Sequence, residues 1–127
     1  MRFLLERLKR PDSGHRATQN NPRSGISVWF TDVHAYSVDR MTIDGTTTFF
    51  PTATQGTSAY GIAAGPDGNI WYTIIMAGKL GCVTPTGTVT EYTIPTQNSY
   101  PQLMAAGPDG NVWFVETGAN KVAYIVL

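Results

Sequence analysis

From Tyr60 to Thr96 the apolar positions come in four short bursts, YGIAA, NIWYTII, KLGCVT and TVTEYTI, punctuated by the polar turns GPDG and TPTG. The last burst alternates Val89, Glu91 and Thr93 against Thr90, Tyr92 and Ile94, the two-residue period of a strand rather than the 3.6-residue period of a helix. Both turns carry Pro at their second position and Gly at their fourth, as a type I turn prefers. The pattern predicts four short antiparallel strands joined by tight connections.

The same pattern recurs. GIAAGPDGNIWYT at 61–73 returns 42 residues later as LMAAGPDGNVWFV, sharing Ala63, the whole Gly65–Asn69 run, Trp71 and, further on, Lys79 with their counterparts. Residues 28–60 match 70–102 with the same offset, at Trp29, Thr31, Ala35, Gly45, Thr46 and Gln55. Trp29, Trp71 and Trp113 therefore mark three copies of one unit, with no insertion between them. A period near 42 suits either a helical solenoid or a four-stranded propeller blade, and four strands per period selects the blade. The expected fold is all-β. It is a partial β-propeller of about two and a half to three four-stranded antiparallel blades, over repeats 26–59, 60–101 and 102–127.

Antiparallel order then fixes which connections share a face. With strands A to D running outward from the axis, the A–B turn (GPDG) and the C–D turn (TPTG, or IDGT in the first copy) lie on one side. The B–C and D–A loops lie on the other. The first side repeats its turn chemistry; the second varies between copies, and variable loops on a rigid scaffold are where a ligand site would be built.

Composition is that of a globular chain, 42% hydrophobic and 14% charged, with 13 Gly and 8 Pro. No apolar run approaches the length of a membrane span, and charges at Glu6, Arg7, Lys9 and Arg10 interrupt any secretory signal at the start. Those two absences favour a cytoplasmic location. The lone Cys82 excludes an internal disulfide. The zero net charge hides an asymmetry: Arg2, Arg7, Lys9, Arg10, Arg16 and Arg23 all fall in the first 23 positions. Residues 1–25 read as a basic, disordered extension, in which RFLLERLK has at most two helical turns, too few to stand alone. Its low aromatic content argues against a nucleic-acid partner.

Neither GPDGN run is a phosphate loop or a calcium loop, because there is no Gly-Lys-Ser/Thr and no acidic ladder. Asp67 and Asp109 read as turn residues bonding their own backbone, and the three Trp residues as blade-packing aromatics.

The stretch YGIAAGPDGNIWYT…GKLGCVTPTGTVTEYTIPTQNS, and residues 28–127 with it, resembles the repeat of the streptogramin B lyase (virginiamycin B lyase) family. The resemblance implies a seven-bladed propeller that linearises a cyclic depsipeptide antibiotic by elimination. In that family a histidine removes the proton α to the ester carbonyl, and Mg²⁺ on glutamates stabilises the developing enolate. The family's Glu-Pro-His precedes strand A and a further Glu closes strand B. In the third copy Glu116 matches the strand-B glutamate and is the implied Mg²⁺ ligand, and Pro101 matches as well. Tyr100 replaces the first Glu and Gln102 replaces the His. Ser58, Tyr60 and Ile74 stand at those places in the second copy, and Asp32 stands in for the strand-B glutamate in the first. An amide has no basic lone pair to offer at neutral pH, so Gln102 cannot replace the base; His34, in the first B–C loop, lies at a different position.

Two readings follow. The chain is a piece of a lyase-like propeller, not catalytic by itself, whose missing groups lie on other blades. Alternatively it is a non-catalytic module binding a small cyclic peptide, a peptide or a sugar through Asp32, His34, Tyr36, Ser58, Tyr60, Tyr100 and Gln102. The apolar run KVAYIVL, with an unpaired strand edge, also favours self-association.

Overall fold

The computed structural model describes residues 2–9 and 26–127, the first stretch by its backbone alone. Among the described residues, eleven strands form three antiparallel sheets. The first contains β1 (Arg2–Lys9), β2 (Ile26–Asp32), β3 (Ser37–Thr42) and β4 (Thr47–Pro51), hydrogen-bonded in that order. The second contains β5 (Ala59–Ala64), β6 (Ile70–Ile74), β7 (Lys79–Val83) and β8 (Val89–Thr93), again in sequence order. The third has β9 (Pro101–Ala106), β10 (Val112–Glu116) and β11 (Lys121–Ile125). The inner strands β1, β5 and β9 are mutual neighbours in that order, as blades set around one axis require. The chain is a partial propeller. Among the described residues no helix is long and apolar enough to cross a membrane.

One expectation needs correction. Arg2–Lys9 is neither a disordered arm nor a helix but a strand that pairs with β2, from Arg2 opposite Asp32 to Lys9 opposite Ile26. The inner edge of β2 otherwise presents a row of unpaired N–H and C=O groups, and β1 satisfies them by taking the strand A position. Residue 1 and residues 10–25, the rest of the expected extension, lie outside the described residues.

The A–B and C–D connections follow one backbone plan. Gly68 N–H donates to the Gly65 carbonyl and Gly65 N–H to the Asn69 carbonyl; residues 42–46, 84–88 and 107–111 repeat both bonds. Gly45, Gly68, Gly87 and Gly110 each take φ between 81° and 99°, where a Cβ would be strained. The GPDG turns also have a use beyond turning. Asp67 accepts from the Trp71 indole N–H at 3.2 Å, and Asp109 accepts from that of Trp113 at 3.0 Å. A Cβ on Gly65 would sit 2.8 Å from Trp71 Cδ1, so the first glycine of the turn makes room for the indole. The motif Gly-Pro-Asp-Gly-Asn-x-Trp is one packing unit.

The core lies between sheets. Trp29 and Val38 of the first blade pack with Ile62, Ile70, Tyr72, Ile74 and Val83 of the second. On the other side of the second blade Ala63, Trp71 and Cys82 meet Val112, and Leu80 and Ile94 meet Phe114. Burial holds the Cys82 thiol well above its ordinary value, at about 11, with the Asp67 carboxylate adding to the shift. A thiol so protonated and so buried is a packing group rather than a nucleophile.

Adjacent blades are also joined by threonines. Thr31 Oγ1 donates to the Tyr60 carbonyl at 3.1 Å, and Thr73 Oγ1, one repeat later, donates to the Gln102 carbonyl at 2.6 Å. Each hydroxyl reaches from strand B of one blade to strand A of the next. The third copy carries Val115 at this place.

Candidate functional site

The B–C and D–A loops converge on one side of the sheets, opposite the glycine turns. Their side chains vary, yet their backbones do not, contrary to the expectation of freely differing loops. The fourth residue of each B–C loop is left-handed, with φ of 54° at Tyr36, 60° at Gly78 and 54° at Asn120. Gly56 and Asn98 are equivalent left-handed residues of the two D–A loops. Thr52 N–H donates to the Tyr36 carbonyl, and Ile94 N–H donates to the Gly78 carbonyl in the same way. A repeated frame therefore presents different groups at each blade.

In the first blade the frame presents Asp32, His34 and Tyr36. Asp32 Oδ1 accepts from the N–H groups of His34 and Ala35, both at 3.1 Å, and so closes the loop on itself. His34 and Tyr36 are exposed. Ser58, at the end of the following D–A loop, donates to the Val33 carbonyl at 2.7 Å and ties the two loops together. These four residues form one group. Tyr60 lies on β5, where its carbonyl receives the Thr31 hydroxyl.

The second group is built around Glu116, at the end of β10. It stands opposite Pro101 of β9, so Tyr100 and Gln102 flank the residue facing it. Glu116 is only 3% exposed, and its Oε2 has no hydrogen-bond partner among the described residues. A buried carboxylate oxygen without a donor is costly to keep. Tyr100 is 42% exposed at φ 42°, a conformation that a bulky side chain rarely takes. It is held there by Thr117 Oγ1, which donates to its carbonyl at 2.8 Å, and by Gly118, whose N–H donates to the Ser99 carbonyl at 3.0 Å. The Tyr100 ring lies over Gly118, in the space a Cβ would need. Gln102 is half-buried on β9, its carbonyl engaged by Thr73.

Beside this group is an open depression of about 390 Å³ between the two loops of the second blade, lined by Ile75–Gly78 and Thr93–Tyr100. Gln97, Asn98 and Ser99 contribute its polar wall, and sequence reasoning did not single them out. Ser99 is buried with its Oγ unpartnered among the described residues. The available signal was the left-handed position itself, since Asn98 matches Gly56 one repeat earlier.

No group of three or more His, Cys, Asp or Glu side chains that could hold a metal occurs among the described residues. Glu116 is a single carboxylate; the two places where the family resemblance sets a Glu and a His carry Tyr100 and Gln102. Magnesium is commonly held by one or two carboxylates with waters completing its octahedron; Glu116 would supply one such ligand, and Tyr100 and Gln102 add no second carboxylate.

Comparison with known proteins locates the chain. The model of the virginiamycin B lyase family matches residues 5–127. Selenomethionine-substituted virginiamycin B lyase from Staphylococcus aureus superposes with a TM-score of 0.76 at 35% identity, covering 82% of this chain and 36% of that one. A catalytically inactive virginiamycin B lyase from the same organism, with quinupristin, gives 0.70 at 28% identity over 83% of this chain and 39% of that one. A streptogramin B lyase structure gives 0.68 at 29% identity over 80% and 37%. No curated protein sequence matches. The chain spans well under half the length of these structures, at most 39%. With a family match over residues 5–127 and 35% identity to a solved virginiamycin B lyase over 82% of its length, the chain belongs to the virginiamycin B lyase family.

Proposed function

We infer that this chain is a piece of a streptogramin B lyase-like propeller that presents a loop surface for a small peptide ligand but does not carry out the elimination by itself. The observation that carries this reading is the surrounding of Glu116. The carboxylate is buried, one oxygen lacks a donor, and its neighbours Tyr100 and Gln102 replace the acid and the base that the family chemistry requires. Removing a proton α to an ester needs a group that is basic near neutral pH, and a side-chain amide is not one. The exposed imidazole of His34 belongs to the other residue group, in the first blade's loop. With one carboxylate in place, no step through Mg²⁺ can be derived from these residues.

Binding is better supported than turnover. Tyr100, Gln97, Asn98 and Gln102 offer an aromatic face and amide donors and acceptors beside an open depression, which suits the amide-rich backbone of a cyclic peptide. A relative has been solved with quinupristin. The test is incubation of the chain with a streptogramin B antibiotic and Mg²⁺, following ring opening by mass spectrometry. No linearised product is expected. Product formation that disappears in Glu116→Gln would overturn the non-catalytic assignment. A tryptophan-fluorescence titration with the intact antibiotic, saturable in the parent and weakened in Tyr100→Ala, would support the binding surface; a flat response would remove it.

A further inference from the structure

The first and second blades share one loop frame but close it differently. In the first, Thr52 Oγ1 donates to the carbonyls of Tyr36 (3.1 Å) and Thr57 (3.0 Å), and Thr57 Oγ1 donates to the Thr54 carbonyl at 2.7 Å. Both hydroxyls are engaged. One repeat on, Ile94 and Ser99 stand at the places of Thr52 and Thr57. Ile94 has no hydroxyl to offer and packs with Leu80 and Phe114. Ser99 is 1% exposed, and its Oγ has no partner among the described residues. The same loop pair lacks a side chain at its left-handed position, where Tyr36 and Asn120 carry one and Gly78 does not. Beyond its chain neighbours, a Cβ at Gly78 would meet Ser99 Oγ alone, at 3.4 Å. The omitted side chain and the unpartnered hydroxyl face each other.

Both residues line the open depression of about 390 Å³, and none of the residues around it is charged. An ionic group entering it would lose water without gaining a counter-ion. Met76 and Tyr100, both exposed, supply a thioether and a ring at its wall, and both groups favour an aromatic neighbour. Building on the peptide-binding reading above, we propose that the depression is a pocket for one side chain of the ligand, a neutral aromatic ring bearing a hydroxyl. The ring lies against Met76 and Tyr100, and its hydroxyl pairs with Ser99 Oγ. A phenol and a serine hydroxyl can each donate and accept, so either supplies the proton of that bond. Pairing offsets the cost of a buried group left without a partner, which a plain phenyl ring cannot do.

The test uses the whole 127-residue chain with N-acetyltyrosinamide and N-acetylphenylalaninamide, followed by saturation-transfer NMR. The tyrosine probe is expected to bind saturably and about tenfold more tightly than the phenylalanine probe, as pairing an otherwise unsatisfied buried group implies. Ser99→Ala should bring the two probes to equal affinity. Gly78→Asn puts into the pocket the residue that the third blade carries in the same left-handed conformation, and should abolish binding of both probes with the strand signal in circular dichroism unchanged. If that variant does not fold, Ser99→Ala alone decides. Absence of saturable binding by the tyrosine probe overturns the proposal; if the intact antibiotic still titrates the tryptophan fluorescence, the peptide-binding reading stands without it. Equal affinity of the two probes in the parent also overturns it, as does a preference that persists in Ser99→Ala or binding that a folded Gly78→Asn retains in full.

Discussion

The second and third blades share 42-residue spacing, the Gly-Pro-Asp-Gly-Asn turn and the tryptophan, yet they are held to their surroundings differently. The second is enclosed: Ile62, Ile70, Tyr72 and Ile74 are buried against the first blade, while Trp71 and Cys82 are buried against the third. In the third, Leu103, Val122 and Tyr124 stand exposed on the outward side, and Val115 takes the place of the bridging threonine. Repetition of sequence thus fixes each blade internally, whereas the bonds between blades depend on single residues that differ from copy to copy.

The largest effect should come from removing one such bond. The Thr73 hydroxyl donates to the Gln102 carbonyl and accepts from Gly61 N–H at 2.8 Å, joining β5, β6 and β9. Thr73→Val makes the second blade resemble the third. It leaves two buried backbone groups without partners, at a cost of about 2–4 kcal/mol. Val115→Thr makes the reverse change at a half-buried position with no facing strand carbonyl among the described residues, and should move stability by less than about 0.5 kcal/mol. Urea denaturation of the two variants checks the contrast, and equal effects would break it.

A second contrast lies within the strands. The Tyr72 ring lies across Gly81, its cross-strand partner, in the space a Cβ would fill. The third blade has Phe114 opposite Ala123 instead. Gly81→Ala should therefore destabilise by about 1–3 kcal/mol through overpacking, and adding Tyr72→Phe should recover part of that loss. A double-mutant cycle with no coupling between the two sites would mean that the pairs are not exchanged as units.

These residues also show what the sequence could and could not convey. The blades were legible because periodicity, turn glycines and the tryptophan offset are local or strictly repeated features. The fourth strand of the first blade was not: β1 lies outside the 42-residue phase, and only the vacant edge of β2 calls for it. The loop frame was partly legible. Variation at Tyr36, Gly78 and Asn120 suggested different loops, when the three residues share one left-handed conformation. Glu116 could be picked out by motif, but its burial and its unpartnered oxygen depend on packing across β9 and β10, which no spacing in the chain discloses.

The smallest effect concerns the turn that both blades share. Hydrogen bonds from the Trp113 indole and from Asn111 hold the Asp109 carboxyl below its ordinary value of 3.8. A carboxylate with a depressed folded-state pKa stabilises the fold above its unfolded pKa, and that contribution fades as pH falls through the lower, folded value. Asp109→Asn should thus lower Tm slightly at neutral pH, and the gap from the parent should close in acid, as pH falls below the ordinary carboxyl value of 3.8. Because Asp109 is exposed, the shift should be small and should show best in the emission of Trp113, read in a background where Trp29 and Trp71 are replaced by Phe. A gap that stays constant below that value would mean that the turn's geometry, rather than the charge on Asp109, holds the indole in both blades.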